Sequence, residues 1–125
     1  MIDAVVKSLD WTNPIPEDWD KPAAITVYAE IGSRGGTGAD VYKFLVCNPQ
    51  WIAEQLQTKP GLWPRGYLIM NDFNAGYIER TIQALADQFR NSANVADFAE
   101  RLNRFLVWEF QDMDDYQGEP KVPGI

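Results

Sequence analysis

The stretch from Ala24 to Val46 constrains the fold more than any other part of this chain. Ala24-Ile25-Thr26-Val27-Tyr28-Ala29-Glu30-Ile31 and Ala39-Asp40-Val41-Tyr42-Lys43-Phe44-Leu45-Val46 are rich in β-branched and aromatic residues, and they flank Gly32-Ser33-Arg34-Gly35-Gly36-Thr37-Gly38. Such side chains suit a pleated, half-buried surface, and glycines give a chain reversal its backbone freedom, so the pattern predicts a β-hairpin. A domain that starts from a hairpin must cover one face of the resulting sheet, and the rest of the sequence shows what is available to do so.

Upstream, residues 2–9 alternate loosely, with Ile2, Ala4 and Val6 on one side and Val5 out of phase, and read as a first strand. Asp10 to Pro22 holds three prolines and several acids, which disfavour helix interior and central strand alike, so it reads as a long acidic surface connection. Downstream, Asn48 is a good N-cap and Pro49 sits at the first helical position, which predicts a short helix from about Pro49 to Gln57, ended by Lys59-Pro60-Gly61. Tyr67-Leu68-Ile69-Met70 reads as a short buried strand. Asn74 caps a second helix with Ile78, Ile82, Leu85, Ala86 and Phe89 at helical spacing. Asn94 followed by Asp97 resembles a capping box for a third helix, with Val95, Phe98, Ala99, Leu102 and Phe105 as its inner face. Leu106-Val107-Trp108-Glu109-Phe110 returns as a last strand, and residues 111–125 read as a partly ordered acidic tail. The expected fold is a single α+β domain over residues 1–125: a mainly antiparallel sheet of about five strands with two to three helices on one face, in the order β-β-β-α-β-α-α-β.

Composition narrows the function. The net charge of -7 is confined to two segments: Ser8 to Asp20 carries Asp10, Glu17, Asp18 and Asp20 with no base, and Glu109 to Pro120 carries Glu109, Asp112, Asp114, Asp115 and Glu119 with no base. A surface of that kind repels nucleic acid and steers a basic protein, so a nucleic-acid partner is not expected. A single cysteine allows no internal disulfide and suits a reducing compartment. With no secretory pattern and no long apolar run, the expected location is the cytoplasm, away from any membrane.

Chemistry is equally restricted. Histidine is absent, which removes the commonest general base and metal ligand together with every His-containing triad. Cys47 has two readings, an activated thiol at a helix N-terminus or a small buried hydrophobe closing a strand. The glycine-rich loop has no Lys before its Thr and leads into a β-patterned segment, so it fails the requirements of a phosphate loop. Asp112-Met113-Asp114-Asp115 does not meet the calcium-loop ligand pattern, and Glu109 with Asp112 cannot be read as a glycosidase pair, because the carboxyl separation that marks one is a spatial fact that a sequence does not reveal. No catalytic, metal or cofactor site is expected. Trp51, Trp63, Trp108 and Phe110 are open to burial or to partner contact; alternation puts Trp108 and Phe110 on one side of a strand, as a core plug. Trp11 and Trp19 lie among acids without apolar periodicity, a composition that matches the anchors of protein-binding patches and leaves both as open to partner contact as to burial.

Val46-Cys47-Asn48-Pro49-Gln50-Trp51, Gly66-Tyr67-Leu68-Ile69 and Trp108-Glu109-Phe110-Gln111-Asp112, in this order and spacing, resemble family 8 of the bacterial immunity proteins, small antidotes encoded beside polymorphic and contact-dependent toxins. The similarity runs from about Ala24 to Asp115. It differs from the usual pattern at Asn48, where Thr is common, at Gly66, where a larger residue often follows the Arg, and at Met113, where an aromatic often sits. The matched Cys47, Pro49, Trp51, Arg65, Trp108, Glu109 and Phe110 read as fold-keeping residues. What the resemblance implies is a non-enzymatic protein that binds the toxic C-terminal domain of a cognate toxin. Because many such toxins are nucleases with basic clefts, the candidate toxin-binding residues are Glu17, Asp18, Trp19, Asp20, Asp112, Asp114, Asp115 and Tyr116, provided the two acidic segments lie close in space. The alternatives are an acidic cytoplasmic adaptor and a small-molecule-binding α+β domain, the latter requiring an enclosed pocket with converging polar groups.

Overall fold

The computed structural model describes residues 1–11 and 13–108. Its elements follow the expected order: β1 (Ala4–Trp11), β2 (Ala24–Ser33), β3 (Asp40–Cys47), α1 (Pro49–Gln55), β4 (Tyr67–Ile69), α2 (Ala75–Gln88), α3 (Val95–Leu102) and β5 (Val107–Trp108). The expected Glu109 and Phe110 of the last strand, and the tail at 111–125, lie outside the described residues.

The strands form one open, mostly antiparallel sheet in the order β1-β2-β3-β4, with β5 also paired to β3. On the side of β3 away from β2, β4 runs parallel to Leu45–Cys47 and β5 runs antiparallel to Tyr42–Lys43, so two short strands share one edge. The central hairpin is in continuous register from Ala24↔Cys47 to Ile31↔Asp40. Alternation then puts Ile25, Val27, Ala29 and Ile31 beside Tyr42, Phe44 and Val46 on one face, all of them buried.

That inner face is covered by α2 and α3, which contribute Ile78, Ile82, Ala86, Phe98, Ala99 and Leu102 to a single core. Each of the buried Ile, Phe and Leu side chains among them contributes roughly 1.5–3 kcal/mol by leaving water. The Asn74 and Asn94 carboxamides accept from the backbone N–H of Tyr77 and Asp97, as the capping pattern predicted. The inner face of α3 is narrower than expected, since Val95 and Phe105 are exposed. Val95 is the first residue of the helix and Phe105 lies beyond its last turn, so neither sits where the helix axis brings it against the sheet.

The irregular phase of the first strand has a local cause. Pairing runs Ala4↔Ser33 to Val6↔Ile31, then resumes at Ser8↔Glu30, leaving Lys7 as a β-bulge. The inward set therefore changes from Val6 to Leu9 and Trp11, which pair with the buried Ala29 and Val27. The Lys7 ammonium donates to the carbonyls of Gly36 and Gly38, clamping the hairpin loop.

Candidate protein-binding surface

The acidic segment after β1 is irregular, yet it is tied down at several points. Asn48 is wholly buried and uses its entire amide. Its Oδ1 accepts from Trp51 N at 2.9 Å, which caps α1, and from Ala23 N at 3.1 Å. Its Nδ2 donates to the carbonyls of Trp19 at 2.7 Å and Lys21 at 2.6 Å. One side chain thus fastens the acidic segment to the strand-to-helix corner. A buried amide fully satisfied in this way strongly resists rearrangement, because any movement strands polar groups without water.

Trp19 supplies the second anchor. It is buried, and its indole N–H donates to the Met70 carbonyl at 3.0 Å. Trp11 and Trp19 meet Phe73 edge-on, at ring centroid distances of 5.5 and 5.6 Å. The sequence left Trp19 open between anchor for a partner and core residue; its burial makes it a core residue, which corrects its place among the surface candidates. The physical reason is that Asn48 and Met70 pull the segment inward. Glu17, Asp18 and Asp20, the other candidates of this segment, are all exposed. Asp18 Oδ1 accepts from Asp20 N at 3.0 Å, and its other oxygen lies 3.8 Å from the Lys21 ammonium. Asp72 is exposed on the turn after Met70 and extends the acidic surface. Asp112, Asp114, Asp115 and Tyr116 lie outside the described residues.

The family-pattern positions that lie within the described residues each take part in packing, hydrogen bonding or a helix end. Cys47 is buried, and burial pushes its thiol up to about 11 from the ordinary value of 9.0, so its position before α1 does not activate it. Pro49 opens α1, and Trp51 packs edge-on against Tyr67 at 5.9 Å. Arg65 donates from Nη2 to the Asn103 carbonyl at 2.8 Å, joining the approach to β4 with the end of α3. Trp108 is partly buried against the core beside Tyr42. Glu109 and Phe110 lie outside the described residues.

Of two exposed hydrophobics, Trp63 was open to burial or to partner contact on sequence grounds, and Ile69 was not a contact candidate. Ile69 is 49% exposed next to Met70, which receives the Trp19 bond, and Trp63 is 72% exposed in the proline-flanked approach to β4. A signal for Trp63 was present, since Pro60-Gly61 and Pro64 exclude it from any periodic element. Ile69 had none, because its exposure follows from β4 lying at the edge of the sheet.

Among the described residues no group of three or more His, Cys, Asp or Glu side chains is placed to hold a metal ion. No described helix is long and apolar enough to cross a membrane. An apolar cavity of about 300 Å³ between Phe44, Leu68, Ile82 and Leu85 has, among the described residues, only Thr81, Gln88 and Tyr67 as polar lining. The Tyr42 hydroxyl stays protonated well above its ordinary range, first through burial and then through the nearby Asp40 carboxylate. The structure therefore presents a supported acidic surface.

No curated protein and no solved structure matches this chain. The family described as immunity protein 8 matches residues 4–113, which spans β1 to the end of the described sheet and reaches into the second acidic segment. With that match covering most of its length, the chain belongs to the immunity protein 8 family, whose members protect against a toxin.

Proposed function

We propose that this chain binds the toxic C-terminal domain of a cognate polymorphic or contact-dependent growth inhibition toxin and neutralises it by covering its active site or an exosite. It carries out no reaction and works in the cytoplasm of the cell that makes it. The observation that carries this reading is the acidic segment, which projects Glu17, Asp18 and Asp20 from a backbone fixed by Asn48 and Trp19. A contact surface already held in shape avoids part of the ordering entropy that binding would otherwise cost. An acidic patch complements the basic cleft of a nuclease, and such complementarity speeds association roughly 10- to 1,000-fold at low salt. Speed suits an antidote. Asp112, Asp114, Asp115 and Tyr116 form the second part of the proposed contact surface, with the charge of their segment in its support.

The test is co-expression with the product of the adjacent upstream gene. That product is expected to arrest growth alone, to be harmless when this chain is present, and to co-purify with it. A toxin that remains lethal in the presence of the folded chain would refute the reading.

A further inference from the structure

β1 lies at the edge of the sheet, and its two halves are finished differently. Before the Lys7 bulge the edge is closed by α2: the Gln83 amide donates to Ala4 O at 3.0 Å and accepts from Val6 N at 3.0 Å, and Ile2 N donates to Arg90 O at 2.6 Å. Gln83 thus imitates a neighbouring strand. Beyond the bulge the edge lacks such a cover among the described residues.

The pairing pattern shows which groups are left. Arg34 N bonds to Asp3 O, and Asn48 N bonds to Ala23 O, so even-numbered residues of β2 direct their peptide groups to β1 and odd-numbered ones to β3. Glu30 and Tyr28 therefore bond to Ser8 and Asp10, whereas Leu9 and Trp11, opposite Ala29 and Val27, turn their N–H and C=O outward. Alongside runs a cleft of about 300 Å³ lined by Val6 to Leu9, Trp11, Ala75, Gly76 and Glu79. Gly76 leaves its α2 wall without a side chain.

The geometry points to this half-edge as a docking site for an extended, basic segment of a partner protein, which adds a strand beside Leu9–Trp11. Two outward N–H and C=O pairs, two residues apart, are matched by another peptide backbone in extended form. Charge selects the sequence of that segment: Asp10 and Glu79 are exposed at the edge, and Trp11 and Trp19 share Phe73, so the edge opens onto the acidic segment. A second copy of this chain fits poorly, because pairing β1 with β1 would set the same acids against each other. The inference rests on the immunity reading and names the part of the toxin domain that is gripped.

The experiment is hydrogen exchange on the full chain, free and with the toxic domain encoded upstream, joined to affinity measurements on Gly76→Trp. This substitution fills the cleft, and its Cβ would meet only Arg80 Nη1 at 3.2 Å and Asn74 Oδ1 at 3.4 Å, so α2 can keep its form. Complex formation is expected to slow the Leu9 and Trp11 amides about 100-fold or more. Gly76→Trp is expected to weaken binding about tenfold or more, with an unchanged circular dichroism spectrum. A complex in which both amides exchange as in the free chain overturns the edge inference and leaves the immunity reading intact. Absence of any complex with the wild-type chain removes both. Protection that appears in the free chain as its concentration rises would assign the edge to a second copy and overturn the proposal.

Discussion

Asn48 shows how much one side chain can determine here. It caps α1 and at the same time holds the acidic segment through two carbonyls, so its removal leaves Trp19 O, Lys21 O and Ala23 N without their partners. Asn48→Ala is expected to cost about 2–4 kcal/mol, the sum of a lost cap and stranded buried groups, measured by urea unfolding. Thr, common at this position in the family pattern, could cap the helix but has only one donor for the two carbonyls. Cys47 illustrates the opposite case, a reactive residue type made inert by its site. Its folded value of about 11 lies above the ordinary 9.0, so its contribution to stability is complete below pH 9.0 and is lost as pH rises towards 11. The expected outcome is a fall in unfolding free energy across that window that is smaller in Cys47→Ala, with the native thiol inaccessible to a disulfide reagent until urea is added.

At the scale of elements, the hairpin and its edge strand are adjusted to each other. The loop folds so closely on itself that a Cβ on Gly32 would sit 2.1 Å from the Gly38 carbonyl oxygen. Gly35 adopts φ 78, a left-handed conformation that L residues avoid. Lys7, placed outward by the bulge, ties down the same loop, and Arg34 pairs with Asp3 across it at 3.1 Å. Gly32→Ala is therefore expected to lower stability by about 1–3 kcal/mol, since backbone must shift to admit the methyl group. A melting temperature within error of wild type would show that the loop gives way freely. The capping box of α3 behaves more simply. Asp97 accepts from Ala93 N, which chiefly holds its carboxyl below the ordinary range, and the Arg101 guanidinium adds to this.

For the whole molecule, charge and support are separate. The core sits between one sheet face and two helices, while the acidic segment is bound to the end of the sheet through Asn48, Trp19 and Phe73. Charge reversal on the exposed acids should then alter encounter with a partner without unfolding the chain. Asp18→Lys with Asp20→Lys, and separately Asp114→Lys with Asp115→Lys, are expected to slow toxin association about 10-fold or more and to flatten its dependence on salt. Stopped-flow rates at two ionic strengths check this, and rates equal to wild type would eliminate the pair concerned from the contact surface.

The amino-acid sequence determined the hairpin, the capped helices and the order of elements, because alternation, Asn caps and the Pro at the start of α1 are local signals that tertiary packing here reinforces. It also excluded histidine-based chemistry outright. Tertiary structure alone decided that β4 runs parallel and shares an edge with β5, that Lys7 forms a bulge, and that Trp19 turns inward. Each depends on a partner distant in sequence: β3 for the short strands, β2 for the bulge, and Asn48 with Met70 for the tryptophan. Local pattern records what a residue can do, and only the pairing of remote segments decides which of those options is used.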